Sequence, residues 1–285
     1  MSKKIPKGPA FFLANLLIFS LLFYFFIPTA KLSFKNSDQK FSLNKSKATS
    51  FHYIAIGDSL TQGVGDTTDQ GGFIPLLSQE LKSNYHYNVL SSNYGVSGNT
   101  SQQILIRMRK ERKIQKSLNK ANLMTLTVGG NDVMTVVRKG LTNLKVSSFR
   151  QPAKTYQKHL RKIIQMARRR NKNLPIYIIG IYNPYYLNFP NMTQMQDIID
   201  NWNKGTQKVV AEYRNVYFVP INDLLYKGVN GEQKAVGTSD SEAESGEVTN
   251  DALSEGDRFH PNNVGYQIMS KAIMEKISET KKNWK

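Results

Sequence analysis

The residues best suited to nucleophilic chemistry in this 285-residue chain are a serine just after an apolar run, Ser59, and a distant pair, Asp257 and His260. Ser59 is preceded by Gly57 and followed by a turn containing Gly63 and Gly65, so its hydroxyl and its backbone N–H can face one pocket. A serine hydroxyl is inert without a base. The chain has four histidines. His52 falls inside a predicted strand, His86 at the start of another and His159 on a basic helix, positions that read as packing or surface residues. His260 precedes Pro261, which suits a first helical turn and puts the imidazole at a helix mouth. Asp257, three residues earlier, can fix the imidazole tautomer and stabilise the imidazolium formed when Ser59 loses its proton. The same pair also fits a plain helix cap beside a surface histidine. Acyl transfer further needs donors for an oxyanion, and the N–H of Ser59, the bare N–H of Gly98 and the side-chain amide of Asn131 are the candidates. Taken singly, Gly98 reads equally as a turn glycine and Asn131 as a helix cap.

The elements that must position these groups alternate. Strands are predicted at 52–56, 87–91, 123–128, 176–181 and 216–219. Helices are predicted at 73–83, 101–117, 132–139, 153–171 and 192–213, with a last one over about 262–281. Alternation of this kind predicts an α/β fold, a central parallel sheet with helices on both faces. Ligands of such sheets sit outside the carboxyl ends of the strands. The segments carrying Ser59, Gly98 and Asn131 follow the first three strands, and the segment carrying His260 opens the last helix. No internal repeat is present, and the glycines after the first strand lack the G-x-G-x-x-G spacing of a dinucleotide site.

Taken together, the blocks GDSL at 57–60, VSGNT at 96–100, GGND at 129–132 and DRFHPN at 257–262 resemble the SGNH, or GDSL-type, lipase and acylhydrolase family in order and spacing. The resemblance spans about residues 51–281. It implies a three-layer α/β/α flavodoxin-like fold, no metal and no organic cofactor, and the role of a carboxylic ester hydrolase. On this resemblance Ser59 is the nucleophile, His260 the base and Asp257 its orienting acid, with Ser59, Gly98 and Asn131 as the oxyanion donors. Asp58 and Asp132, inside the same blocks, are expected to hold loops by hydrogen bonds. An ester hydrolase acting through an acyl-serine is therefore expected, with a lipid or an acylated envelope polymer as substrate. A carbohydrate O-deacetylase is the alternative within the family, and a non-catalytic glycan- or lipid-binding protein the alternative outside it.

Composition frames this reading. With 40% hydrophobic residues the chain can bury one sizeable core. Cysteine is absent, which removes disulfides, thiolate metal sites and cysteine nucleophiles and suits a chain working outside the cytosol. Residues 8–30 carry no charge and include an almost continuous apolar run after Lys3, Lys4 and Lys7. That pattern predicts a short cytoplasmic N-terminus over 1–8, a transmembrane anchor over 9–30 and an outward-facing remainder. A cleaved signal sequence, giving a secreted protein, is the competing reading. Residues 31–50 read as a polar tether and 51–285 as the hydrolase domain. Within that domain lies an acidic, serine-rich loop over 227–256, either a rim to the site or a tolerated insertion.

The formal net charge of +18 predicts an anionic neighbour, an acidic lipid or wall polymer. No motif supports nucleic acid as the partner. Tyr182, Tyr185 and Tyr186 follow the fourth strand and are candidate substrate-binding residues, with loop packing as their ordinary alternative.

Overall fold

A computed structural model of the chain describes residues 49–139, 145–187, 192–226 and 250–284. The apolar run 9–30, most of the tether and residues 227–249 of the acidic loop lie outside the described residues. Among the described residues no helix is long and apolar enough to cross a membrane.

Five parallel strands form the sheet: β1 (Ser50–Gly57), β2 (Asn88–Gly95), β3 (Leu123–Thr127), β4 (Ile176–Ile179) and β5 (Val216–Val219). Their order is β2-β1-β3-β4-β5, the doubly wound flavodoxin-like arrangement. Between and after them run α1 (Ser59–Gln62), α2 (Phe73–Tyr85), α3 (Ser101–Lys110), α4 (Arg112–Lys120), α5 (Gly130–Val137), α6 (Arg150–Ala167), α7 (Thr193–Val210), α8 (Asn222–Leu225) and α9 (Asn263–Thr280).

Side chains alternate across a strand, so β1 feeds two cores at once. Ile54 and Ile56 pack with Ile104, Met108, Leu160 and Trp202 under α3 to α7, while Tyr53 and Ala55 pack with Phe73, Leu77, Met269 and Ile273 under α2 and α9. The result is three layers, α/β/α.

Element boundaries differ from the sequence reading where chemistry intervenes. The first strand begins at Ser50, inside the stretch read as tether, because its register with β2 extends to Ser50 opposite Asn88. The second strand runs on through Ser91, Ser92 and Asn93 to Gly95. It is an edge strand paired only with β1, and much of it faces water, so it needs no apolar period. The predicted helix at 101–117 is two helices, α3 and α4, separated at Glu111, whose extended backbone (φ −87°, ψ 103°) serves as C-cap to one and N-cap to the other. The last part of the segment read as a loop, 250–256, packs on the domain: Ala252 and Leu253 are buried, and Leu253 pairs with Pro261 in an antiparallel bridge.

Candidate active site

The site stands at the carboxyl ends of β1 and β3. β1 ends at Gly57, where a side chain would have its Cβ 2.2 Å from Thr127 Oγ1, so only glycine lets the turn close against β3. Asp58 caps α1 by accepting the Leu60 N–H at 3.1 Å, which makes Ser59 the first residue of that helix. The Ser59 N–H therefore has no acceptor within its own helix and remains available to a ligand.

Asp58 is buried, and the same carboxylate oxygen accepts from Thr127 Oγ1 at 2.7 Å. Thr127 Oγ1 also accepts the Asp58 N–H at 3.2 Å and meets Thr61 Oγ1 at 2.8 Å. Burial pushes the Asp58 carboxyl up from its usual range, against the opposing hydrogen bonds from Thr127 and Leu60.

His260 arrives from the other side. Its Nε2 lies 2.9 Å from Ser59 Oγ and its Nδ1 2.5 Å from Asp257 Oδ2. The second oxygen of Asp257 accepts the backbone N–H groups of Phe259 and His260, each at 3.0 Å. One carboxylate thus both shapes the turn and aims the imidazole. Burial raises the Asp257 pKa, but the bonds from His260 and Phe259 together hold its carboxyl below the usual carboxylate range.

The turn itself is fixed by the start of α9. Asn262 caps that helix through Val264 N–H and Gly265 N–H, and its amide donates to the carbonyls of Asp251 and Leu253 at 2.9 Å each. Asn263 Oδ1 accepts the Thr67 N–H at 3.0 Å and the Tyr266 hydroxyl donates to the Val64 carbonyl at 2.7 Å, tying the helix to the loop behind Ser59.

The remaining donors lie on two adjacent loops. Gly98 adopts φ +77°, and no atom lies within 4 Å of where a Cβ would stand. Its neighbours have spent their N–H groups, Ser97 on Gln62 Oε1 at 2.6 Å and Asn99 on the Val96 carbonyl at 3.2 Å. Asn131, at the start of α5, donates one amide hydrogen to the Asn99 carbonyl at 3.1 Å, which orients the second. Asp132 joins these loops by accepting from Ser101 N–H at 2.8 Å and Ser101 Oγ at 2.6 Å. Ser101 Oγ in turn meets His159 Nδ1 at 3.0 Å. Asp58 and Asp132 are thus the loop-holding groups the sequence led us to expect. His159 is instead part of a hydrogen-bond chain behind the site, a role that no local signal in its basic helix discloses.

A cavity of about 50 Å³ opens beside Ser59 and is lined by Leu60, Asn131, Ile181, Tyr182, Pro184 and Phe259 among others. Of the three candidate tyrosines only Tyr182 lines it, with its hydroxyl donated to the Phe259 carbonyl at 2.5 Å. Tyr185 packs against Phe259 and Tyr186 edge-on against Tyr226, and both stand outside the lining, as does Gly98. Among the described residues no group of three or more histidine or acidic side chains could hold a metal ion.

Residues 55–268 match the GDSL-like lipase/acylhydrolase family. The chain belongs to that family. The Bacillus subtilis protein YpmR, of uncharacterised function, is 30% identical to this hydrolase over 254 residues, 88% of this chain and 91% of its own. The spore germination lipase LipC of Bacillus licheniformis is 24% identical over 229 residues, 78% of this chain and 93% of its own. Among solved structures, a lipase from a goat rumen metagenome superposes with a TM-score of 0.64 at 22% identity, covering 79% of this chain and 97% of that one. An acetyl xylan esterase from Geobacillus stearothermophilus does so with 0.56 at 20% identity, covering 81% and 96%. At these identities the two structures speak to the α/β fold alone.

Proposed function

We propose that this GDSL-type hydrolase cleaves carboxylic esters of short acyl groups through an acyl-serine intermediate, on the outer side of a membrane. The observation that carries the catalytic part is the unbroken run from Asp257 through His260 to Ser59 Oγ, ending beside a cavity.

In the proposed mechanism Ser59 attacks the ester carbonyl as His260 Nε2 takes its proton. Asp257, kept ionised, steadies the imidazolium through Nδ1–H. The tetrahedral oxyanion is held by the N–H groups of Ser59 and Gly98 and the free amide hydrogen of Asn131. Protonated His260 releases the alcohol, and a water activated by the same nitrogen then frees the acid.

The size of the cavity favours small acyl groups. At roughly 10–15 Å³ for each water-sized occupant, about 50 Å³ fits an acetyl to butyryl group, and a longer chain would have to extend through the open mouth. This supports O-deacetylation of an envelope carbohydrate over lipolysis. The outward location rests on the uncharged run of residues 8–30 behind Lys3, Lys4 and Lys7.

Hydrolysis of p-nitrophenyl acetate, butyrate, octanoate and palmitate by the full chain tests both points. Turnover should fall steeply beyond butyrate and vanish in Ser59→Ala to the residual level of the oxyanion donors. A preference for palmitate would refute the short-acyl reading, and a folded protein inert on all esters and on acetylated sugars would refute the hydrolase. Protease digestion of intact cells should remove the domain if it faces outward and spare it if it does not.

A further inference from the structure

We propose that the base of the sheet, the end at which all five strands begin, is a docking face for an anionic phospholipid bilayer. The inference rests on the distribution of charge and aromatic surface and not on the catalytic reading.

The helices that descend from the active edge end here, and so do their cations. Lys120, Arg169, Arg170, Lys172, Arg214 and Lys282 follow or close α4, α6, α7 and α9, all are exposed, and none has a carboxylate partner among the described residues. Arg168 alone is turned inward, donating to the carbonyls of Leu174, Arg214 and Asn215 and so fixing the loops that present its neighbours. Two of the acids at this end are paired, Glu212 with Arg161 and Glu279 with Lys276. A cleft of about 190 Å³ opens between Arg109, Arg169 and Arg170.

The loops around Ser59 are mixed in sign, with Asp66, Asp69, Asp223, Asp251, Glu255 and Asp257 beside Arg258 and with Arg138 near Tyr185. A face on which cations gather with few acids between them is drawn to a negatively charged plane.

Charge alone would suit any polyanion, but the base also carries partly buried aromatics of the type that settles at a headgroup boundary. Tyr87 stacks on Phe51 with centroids 4.3 Å apart, Trp284 stacks on the same ring at 6.4 Å, and Lys281 Nζ lies 4.1 Å above Tyr85. The chain enters the sheet at this end too, through Thr49 and Ser50. A lysine-rich stretch with an uncharged apolar run before it therefore connects to the face that would meet the lipid. Docking so oriented holds Ser59 about 23 Å away along β1, at roughly 3.3 Å per residue, and points it off the surface toward a polymer.

Trp284 is a built-in reporter, since Trp202 is buried at 2% exposure. The full chain is mixed with phosphatidylcholine vesicles, with or without phosphatidylglycerol, carrying a headgroup-attached nitroxide quencher. Quenching of Trp284 should be several-fold stronger on the anionic vesicles and be released by high salt. It should also drop in Arg169→Gln/Arg170→Gln/Lys172→Gln, with binding weakened roughly fivefold per cation removed. Unchanged hydrolysis of p-nitrophenyl acetate certifies that this variant is folded, and Lys281→Gln/Lys282→Gln provides a second, independent variant. Equal quenching on neutral and anionic vesicles, or quenching that survives both variants, would overturn the proposal. Tighter binding, charge for charge, to soluble polyphosphate than to the vesicles would overturn it in favour of a polymer.

Discussion

Thr127 Oγ1 donates to Asp58 Oδ1 at 2.7 Å, and this bond between the end of β3 and the cap of α1 holds the turn that presents Ser59. Thr127→Val keeps the shape but leaves the Asp58 carboxylate, the Asp58 N–H and the Thr61 hydroxyl each one partner short. Loss of a buried partner costs about 1–3 kcal/mol. Urea unfolding should show that loss, and kcat should fall because the nucleophile shifts, with a change in KM as well since Thr127 also lines the acyl cavity.

The buried Asp58 carboxyl also sets a pH signature. Its folded pKa is raised by burial, so its contribution to stability is complete below the unfolded value of about 3.9 and is lost as pH rises through the folded value. An asparagine in its place would accept the same bonds without a charge. Asp58→Asn should therefore gain stability relative to the parent as pH rises toward neutral, with the difference shrinking in acid, as read from denaturant midpoints across pH.

The separation in sequence decides what could be read in advance. Asp257 and His260 share one turn, and Ser59, Gly98 and Asn131 each follow a strand of a parallel sheet, so short-range pattern and topology together place them at one edge. The Thr127–Asp58 bond spans 69 residues and the His159–Ser101 bond 58, and neither partner carries a local mark of the other. Tyr182, Tyr185 and Tyr186 are equivalent as sequence, whereas the fold admits only Tyr182 to the cavity. Ala252 and Leu253 sit in an acidic, polar context that masks their burial against α9.

Backbone and side-chain oxyanion donors should respond differently to truncation. Gly98→Ala retains the N–H and meets no atom within 4 Å, so it should cost only the strain of φ +77°, about 1 kcal/mol in stability, with kcat largely kept. Asn131→Ala removes the donor itself and should lower kcat by about 10²–10³. Comparable losses in both would place the oxyanion elsewhere.

Ser101 ties the loop of Gly98 to the helix of Asn131 through Asp132, with His159 behind it. Ser101→Ala keeps the backbone bond to Asp132 and breaks the hydroxyl bonds. Steady-state kinetics should show a fall in kcat at nearly constant KM, with a stability loss of about 1–2 kcal/mol. A rise in KM alone would mean that this chain shapes the acyl cavity and not the oxyanion donors.

The covalent step is tested most directly by trapping. The full chain is mixed with p-nitrophenyl acetate, quenched in acid within the first turnovers and mapped by peptide mass spectrometry. The account predicts a single acetyl adduct on Ser59, formed with a burst of p-nitrophenol and absent from both Ser59→Ala and His260→Ala. An adduct on another residue, or full turnover in Ser59→Ala, would contradict it.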